Sequence, residues 1–221
     1  MAEPNNYSRQ LTVADIKAGA HRAYVGGMWD EIGLLQFEFL SKSGLQPMHE
    51  FLDIGCGALR GGVHFVKYLE AGKYHGVDLN PSILEAGRYE LARADLAAKE
   101  VHLAATDSFA LDQFGQKFDY ALALSLFTHL FANTILRCLT AVREVLAPSG
   151  QFFATFFEAP HSVHLESIAH HPGAIVTHYD RDPFHYSFEE MEIMAKLTNL
   201  SVTLIGEWNH PRDQRMLVFT L

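Results

Sequence analysis

Cysteine is almost missing from this chain. Only Cys56 and Cys138 occur among 221 residues, far apart and outside any CxxC spacing. Neither a disulfide framework nor a cysteine zinc site is indicated, and a reducing cytoplasm is the expected compartment. Long apolar runs are also lacking: none approaches the ~18 residues of a membrane span. The start, MAEPNNYSRQ, is polar and places an acidic residue before any basic one, so a soluble protein that is not exported is expected. Positive charge is scarce, with 17 Lys+Arg against 26 Asp+Glu and a net charge of −9. Such a field repels polyanions, which argues against duplex nucleic acid as substrate. Repeats, low-complexity tracts and Pro/Gly/Ser-rich linkers do not occur. With 48% hydrophobic and 19% charged residues, the chain has the composition of a globular protein with a proper core, and its length suits one sizeable α/β domain.

What is present is an alternation. From Phe51 onward short β-like runs trade places with helix-length segments, the signal for βαβ units and a mostly parallel sheet. The expected strands are FLDIGC, YHGVDLN, VHLAAT, FDYALALS and QFFATFFEA. Between them fall helices over about 64–70, from Pro81 to about Lys99, and from Phe131 to Ala147, the last stopped by Pro148-Ser149-Gly150. An irregular stretch from Pro160 to Tyr186, rich in His, Tyr and Pro, leads into SFEEMEIMAKLTNL, where Ser187 and Glu190 form a capping box. SVTLIGEWN and QRMLVFTL close the chain, and the short link His210-Pro211-Arg212-Asp213 predicts a hairpin with an antiparallel strand at one edge of the sheet. Ahead of the first strand, Leu11 to Gly44 has helical spacing broken at Gly26-Gly27, predicting two helices around a flexible joint. The expected division is an N-terminal helical extension or lid over 1–45 and a cofactor-binding domain over 46–221.

In such a sheet ligands bind beyond the carboxyl ends of the strands. The first strand ends in Asp53-Ile54-Gly55-Cys56-Gly57-Ala58-Leu59-Arg60-Gly61. Its glycines are spaced GxGxxxG rather than the dinucleotide GxGxxG, so a tight pyrophosphate turn is disfavoured. Gly55 and Gly57 let the backbone approach a ligand, and Asp53 is an anion suited to a cationic ligand group or to the amides of the turn. At the end of the second strand, Asp78 can accept hydrogen bonds from both hydroxyls of a ribose. Asp107-Ser108-Phe109 after the third supplies a carboxylate for an exocyclic amine and a ring for an adenine face. Together these strand ends read as an adenosine pocket, against the plainer reading of Asp78 and Asp107 as helix caps or turn formers.

The ordered motifs DIGCGALRGG, VDLN, ATDSF and FDYALALSLFTHL resemble those of the class I S-adenosylmethionine-dependent methyltransferases, over roughly half the chain. The resemblance implies a Rossmann-like seven-stranded, mostly parallel sheet with an antiparallel C-terminal hairpin strand. It also implies S-adenosyl-L-methionine as methyl donor. The implied cofactor-binding set is Asp53, Gly55, Cys56, Gly57, Arg60, Asp78, Leu79, Asp107, Ser108, Phe109 and Ser125. Of these, Gly55 and Gly57 line the methionine portion, Asp78 holds the ribose, Asp107 holds the adenine amine, and Ser125 lies where the fourth strand meets the reacting centre. Ala58 and Leu59 depart from the family, which commonly has Thr or Ser and then Gly there. Arg60 suits the cofactor carboxylate or an acidic residue on a neighbouring helix.

For an acceptor that carries a proton, histidine is the natural base. His129, after the fourth strand, is the first candidate and His185 the second. His161, His164, His170, His171 and His178 lie on the same overhanging stretch as His185, without a recognised metal-ligand spacing, and no metal is expected. Tyr24 and Trp29 are candidates to face the sulfonium. The expected activity is methylation of a small-molecule or sugar-like acceptor, with O- preferred over N-methylation. No nucleic acid or membrane partner is expected, and a homodimer is compatible with the sequence. The competing readings are an NAD(P)-dependent oxidoreductase and a non-enzymatic nucleoside-binding protein.

Overall fold

A computed structural model describes residues 6–221; the first five residues of the expected 1–45 extension lie outside the described residues. The chain forms two compact units, one over residues 6–110 and one over 111–221.

The first unit begins with three short helices, α1 (Val13–Lys17), α2 (Ala20–Tyr24) and α3 (Trp29–Lys42). Helix α1 starts at a capping box in which the Thr12 side chain accepts from the Asp15 amide and Asp15 returns the bond. The expected pair of helices is three because Gly19, at φ 78°, breaks the chain before the Gly26-Gly27 joint does. Three parallel strands follow in the order β3-β2-β1: β1 (Phe51–Ile54), β2 (Tyr74–Asp78) and β3 (His102–Ala105). Helix α4 (Gly62–Tyr68) joins the first two, and α5 (Pro81–Arg93) joins the second and third. Helix α5 opens as the sequence predicts, with Asn80 capping Ser82 and Pro81 in the first turn. It ends at Arg93 rather than near Lys99, and Asp95 turns the chain at φ 57°. Phe51, Leu52, Phe65 and Tyr74 are buried at the centre of this unit.

In the second unit β4 (Phe118–Ala123) runs parallel to β5 (Leu146–Glu158), with α6 (Ala132–Val145) between them. The expected helix stop holds, yet Pro148-Ser149-Gly150 fall inside the irregular start of β5 instead of forming a free turn. Gly150 lies so close to Phe118 that a Cβ would come within 2.7 Å of its carbonyl oxygen. The stretch expected to be irregular contains a small hairpin, β6 (Ile168–His170) with β7 (Ile175–Thr177), and a two-residue strand β8 (His185–Tyr186) alongside β5. Helix α7 (Phe188–Leu197) begins at the Ser187/Glu190 capping box.

The closing strands are β9 (Ser201–Gly206) and β10 (Arg215–Thr220). They pair as the expected hairpin, with one correction. The antiparallel strand is not at an edge: β10 inserts between β5 and β9 and is antiparallel to both. Burial explains this, since Met216, Leu217 and Phe219 are fully buried whereas β9 alternates between exposed and half-buried positions, the pattern of an edge. Three strands in the first unit and β4, β5, β10 and β9 in the second make the seven strands of the expected mostly parallel α/β class.

Candidate functional site

The carboxyl ends of β1, β2 and β3 lie side by side. Strand β1 stops at Ile54 because Gly55 turns at φ 72°, followed by Gly57 at φ 56°. The amides of Gly55 and Cys56 both donate to the Val77 carbonyl (2.8 and 3.0 Å), so the glycine turn is bound to the end of β2. Asp78 receives this turn. Its Oδ2 accepts from the Gly57 amide at 3.0 Å and its Oδ1 from the Asn80 amide at 2.9 Å. Burial pushes the Asp78 carboxyl up, and the amides of Asn80, Gly57 and Leu79 counter the shift. A carboxylate has about four acceptor positions; three amides engage it here, which leaves acceptor capacity for a ribose hydroxyl. Leu79, beside it, is 50% exposed although apolar, an open face of the kind a base ring covers.

The Thr106 amide donates to the Asp78 carbonyl at 2.9 Å, bringing the end of β3 alongside. Thr106 Oγ1 then accepts from the amides of Ser108 and Ala110 (both 3.3 Å) and shapes the turn. Asp107 and Ser108 are exposed on it, and Phe109 is half-buried at φ 55°. The structure thus brings Gly55, Gly57, Asp78, Leu79 and the 107–109 turn to one rim of the first unit. A glycine cradle, a carboxylate with acceptor capacity left and an exposed apolar face fit an adenosyl group.

Three residues of the expected set are engaged within the fold. Asp53 is buried and accepts the Tyr74 hydroxyl at 2.6 Å. Its carboxyl is pushed up to about 7, chiefly by burial and also by the Asp78 charge. Cys56 contributes its backbone, since its thiol is buried and its pKa is raised by burial. Arg60 Nη1 donates to the carbonyls of Val25 (3.2 Å) and Gly27 (2.9 Å). The Gly-Gly joint is therefore fastened to the turn that follows β1.

In the second unit Ser125 lies just beyond β4 at φ 54°, a left-handed conformation uncommon for serine. Its amide donates to Thr155 Oγ1 at 2.7 Å and its hydroxyl to Gln214 Oε1 at 3.0 Å, while Thr155 Oγ1 also donates to Gln214 at 2.7 Å. Thr155 and Gln214 were not singled out in the sequence, although Thr155 is a polar break in the apolar run FFATFF.

His129 sits in the 3-10 turn Phe127–His129, half-buried, with Nδ1 bonded to Asp182 Oδ1. A carboxylate only accepts, so Nδ1 carries a proton, and in a neutral imidazole the lone pair then falls on Nε2. His185 lies on β8. It is fully buried, with Nε2 donating to the His164 carbonyl at 2.7 Å and Nδ1 paired with Thr177 Oγ1 at 2.8 Å. Burial also lowers its pKa. Both ring nitrogens are occupied in the structure. Nearby, Leu165, Glu166, Ser167, His178, Tyr179, Asp180 and Arg181 line a cleft of about 290 Å³. Among the described residues no group of three or more His, Cys, Asp or Glu is arranged to hold a metal ion, and no helix is long and apolar enough to cross a membrane.

A parallel α/β sheet with a glycine turn, a carboxylate and an exposed turn at successive strand ends has the features that suit a nucleoside. Comparison with known proteins specifies it further, because residues 52–152 match the family described as a methyltransferase domain. Over that stretch the chain is similar to methyltransferase domains, and its fold is that of solved S-adenosylmethionine-dependent methyltransferases. In fold it is similar to a S-adenosylmethionine-dependent methyltransferase from Clostridium acetobutylicum ATCC 824 (TM-score 0.67, 13% identity, 95% of this chain and 99% of that one). It is also similar to the CcbJ methyltransferase from Streptomyces caelestis (TM-score 0.64, 15% identity, 85% and 88%). A third likeness is to the magnesium protoporphyrin IX methyltransferase from Synechocystis PCC 6803, solved with bound SAH (TM-score 0.60, 13% identity, 96% and 88%). A curated relative, an uncharacterized protein of Rickettsia prowazekii (strain Madrid E), is 27% identical over 111 residues. That match spans 50% of this chain and 44% of the relative's length.

Proposed function

We propose that the protein transfers a methyl group from S-adenosylmethionine to a hydroxyl of a small-molecule, sugar-like acceptor, with His129 as general base. The observation that carries this reading is the His129–Asp182 pair, which fixes the imidazole in the tautomer whose Nε2 accepts a proton. The donor supplies an electrophilic methyl, and the balanced change is acceptor O–H to O–CH3 with S-adenosylhomocysteine and a proton released. Asp78 and the glycine turn hold the donor, Asp107 and Phe109 take its base, and the Asp53 carboxylate meets its ammonium. His129 takes the hydroxyl proton as the new bond forms, and Asp182 stabilises the imidazolium that results. The 290 Å³ cleft on the 165–181 stretch is of small-ligand size, and the net charge of −9 favours such an acceptor over a polyanion.

The test is transfer of labelled methyl from S-adenosylmethionine to a panel of hydroxylated and amino acceptors by wild type, His129→Asn and Asp182→Asn. A base in this role is worth about 10²–10⁴-fold. Both variants should lose rate on hydroxyl acceptors, with His129→Asn losing more, and should bind S-adenosylhomocysteine as wild type does. Full turnover by His129→Asn, or transfer confined to amines, overturns the reading.

A further inference from the structure

The segment ahead of β1 meets the donor rim at several independent points. Asn80, directly after Asp78, is buried, and its Nδ2 donates to the carbonyls of Tyr7 (2.9 Å) and Arg9 (2.8 Å). Ser82 Oγ accepts from the Leu11 amide at 2.9 Å. Arg60, just beyond the glycine turn, holds the carbonyls of Val25 and Gly27. A Cβ on Gly57 would come within 3.2 Å of Val25 Cγ1, so the segment lies against the turn itself. Farther along α5, Glu90 is buried and bonded by His21 Nε2 at 2.6 Å and by Arg22 through two nitrogens at 2.9 and 2.7 Å. Leu11 and Ile16 pack with Ala58, Ile83 and Ala86, flanked by Tyr24, Val25 and Trp29.

Within this strap Tyr24 is placed for binding. Its hydroxyl donates to the Arg9 carbonyl at 3.3 Å and interacts with the Asn80 side chain and the Asp78 charge, while its ring meets Tyr7 edge-on. The bond to Arg9 is long for a hydroxyl donor, and a phenol oxygen can accept as well as donate.

We infer that residues 7–27 form a wall of the donor site and that Tyr24 is a further cofactor-positioning residue, its hydroxyl serving the ribose that Asp78 holds. The inference rests on the donor assignment above and adds a consequence: the two residues that follow the donor motifs, Arg60 and Asn80, tie strap and rim together, so filling the rim and docking the strap reinforce each other. Linkage requires the coupling to be reciprocal.

Calorimetric binding of S-adenosylhomocysteine and limited trypsin cleavage at Arg9, Lys17 and Arg22 test it on the full chain. Saturating S-adenosylhomocysteine should slow cleavage in the strap by about tenfold or more. Tyr24→Phe should weaken binding by about tenfold, the loss of roughly one hydrogen bond, with the melting temperature of the unliganded protein unchanged. Cleavage that is indifferent to bound S-adenosylhomocysteine overturns the inference, as does unaltered affinity in a folded Tyr24→Phe. If Tyr24→Phe does not fold, the cleavage comparison on wild type decides alone. Failure of wild type to bind S-adenosylhomocysteine would instead overturn the donor assignment, so the two failures are told apart.

Discussion

Asp53 illustrates how a motif carboxylate can be poised without a ligand. Its pKa in the fold, about 7, stands above the ordinary 3.8, so the folded chain keeps a proton that the unfolded chain has released. The stabilisation is complete below about pH 4 and is lost as pH rises through 7. Asp53→Asn should therefore remove part of the decline in melting temperature between pH 4 and 7; identical pH profiles for the two proteins would contradict the burial argument. A ligand ammonium favours the carboxylate form, so S-adenosylhomocysteine should bind more tightly at pH 8 than at pH 5.5, and this dependence should weaken in Asp53→Asn. Leu59 carries another residue-scale tension. It adopts φ 63°, a left-handed conformation uncommon for leucine, and its fully buried side chain fills space that Gly62 and Gly87 leave open. A Cβ at Gly87 would approach Leu59 Cγ to 2.7 Å, so Gly87→Ala should lower stability by about 1–3 kcal/mol in thermal or urea unfolding.

At the scale of elements, what the sequence made legible was whatever is local. Periodicity and caps located α5 and α7, and the strand-end motifs located Gly55, Gly57, Asp78 and the 107–109 turn. Pairing across long separations was not legible. Nothing near Ser125 announces that its hydroxyl is taken by Gln214, 89 residues away, or that its amide rests on Thr155. The role of Asp182 was equally hidden, since its partner His129 lies 53 residues back. His185 read as a second candidate base because it lies just before the capped α7 and is flanked by Phe184 and Tyr186, yet those aromatics are themselves buried. The insertion of β10 beside β5 follows from total burial rather than from its turn. Thr155→Val offers a check on the Ser125 corner. Removing the hydroxyl leaves the Ser125 amide without its acceptor, at a cost of about 1–3 kcal/mol, and methyl transfer should fall with it; unchanged unfolding and turnover would show the corner to be incidental.

Across the molecule, the rim proposed to hold the donor lies in residues 6–110, whereas the proposed base and the 165–181 cleft belong to 111–221. Donor binding and acceptor turnover should therefore separate under mutation, with changes at Asp78 altering affinity and changes at His129 altering rate. The central claim is that the rim of β1, β2 and β3 is built for an adenosyl group, and titration calorimetry tests it most directly. Wild type and Asp78→Ala would each be titrated with S-adenosylhomocysteine and, separately, with NAD and NADP. Saturable binding of S-adenosylhomocysteine by wild type, weakened at least tenfold in Asp78→Ala and with no comparable response to the dinucleotides, is the predicted result. Tight dinucleotide binding with none for S-adenosylhomocysteine, or equal affinity in the variant, would contradict it.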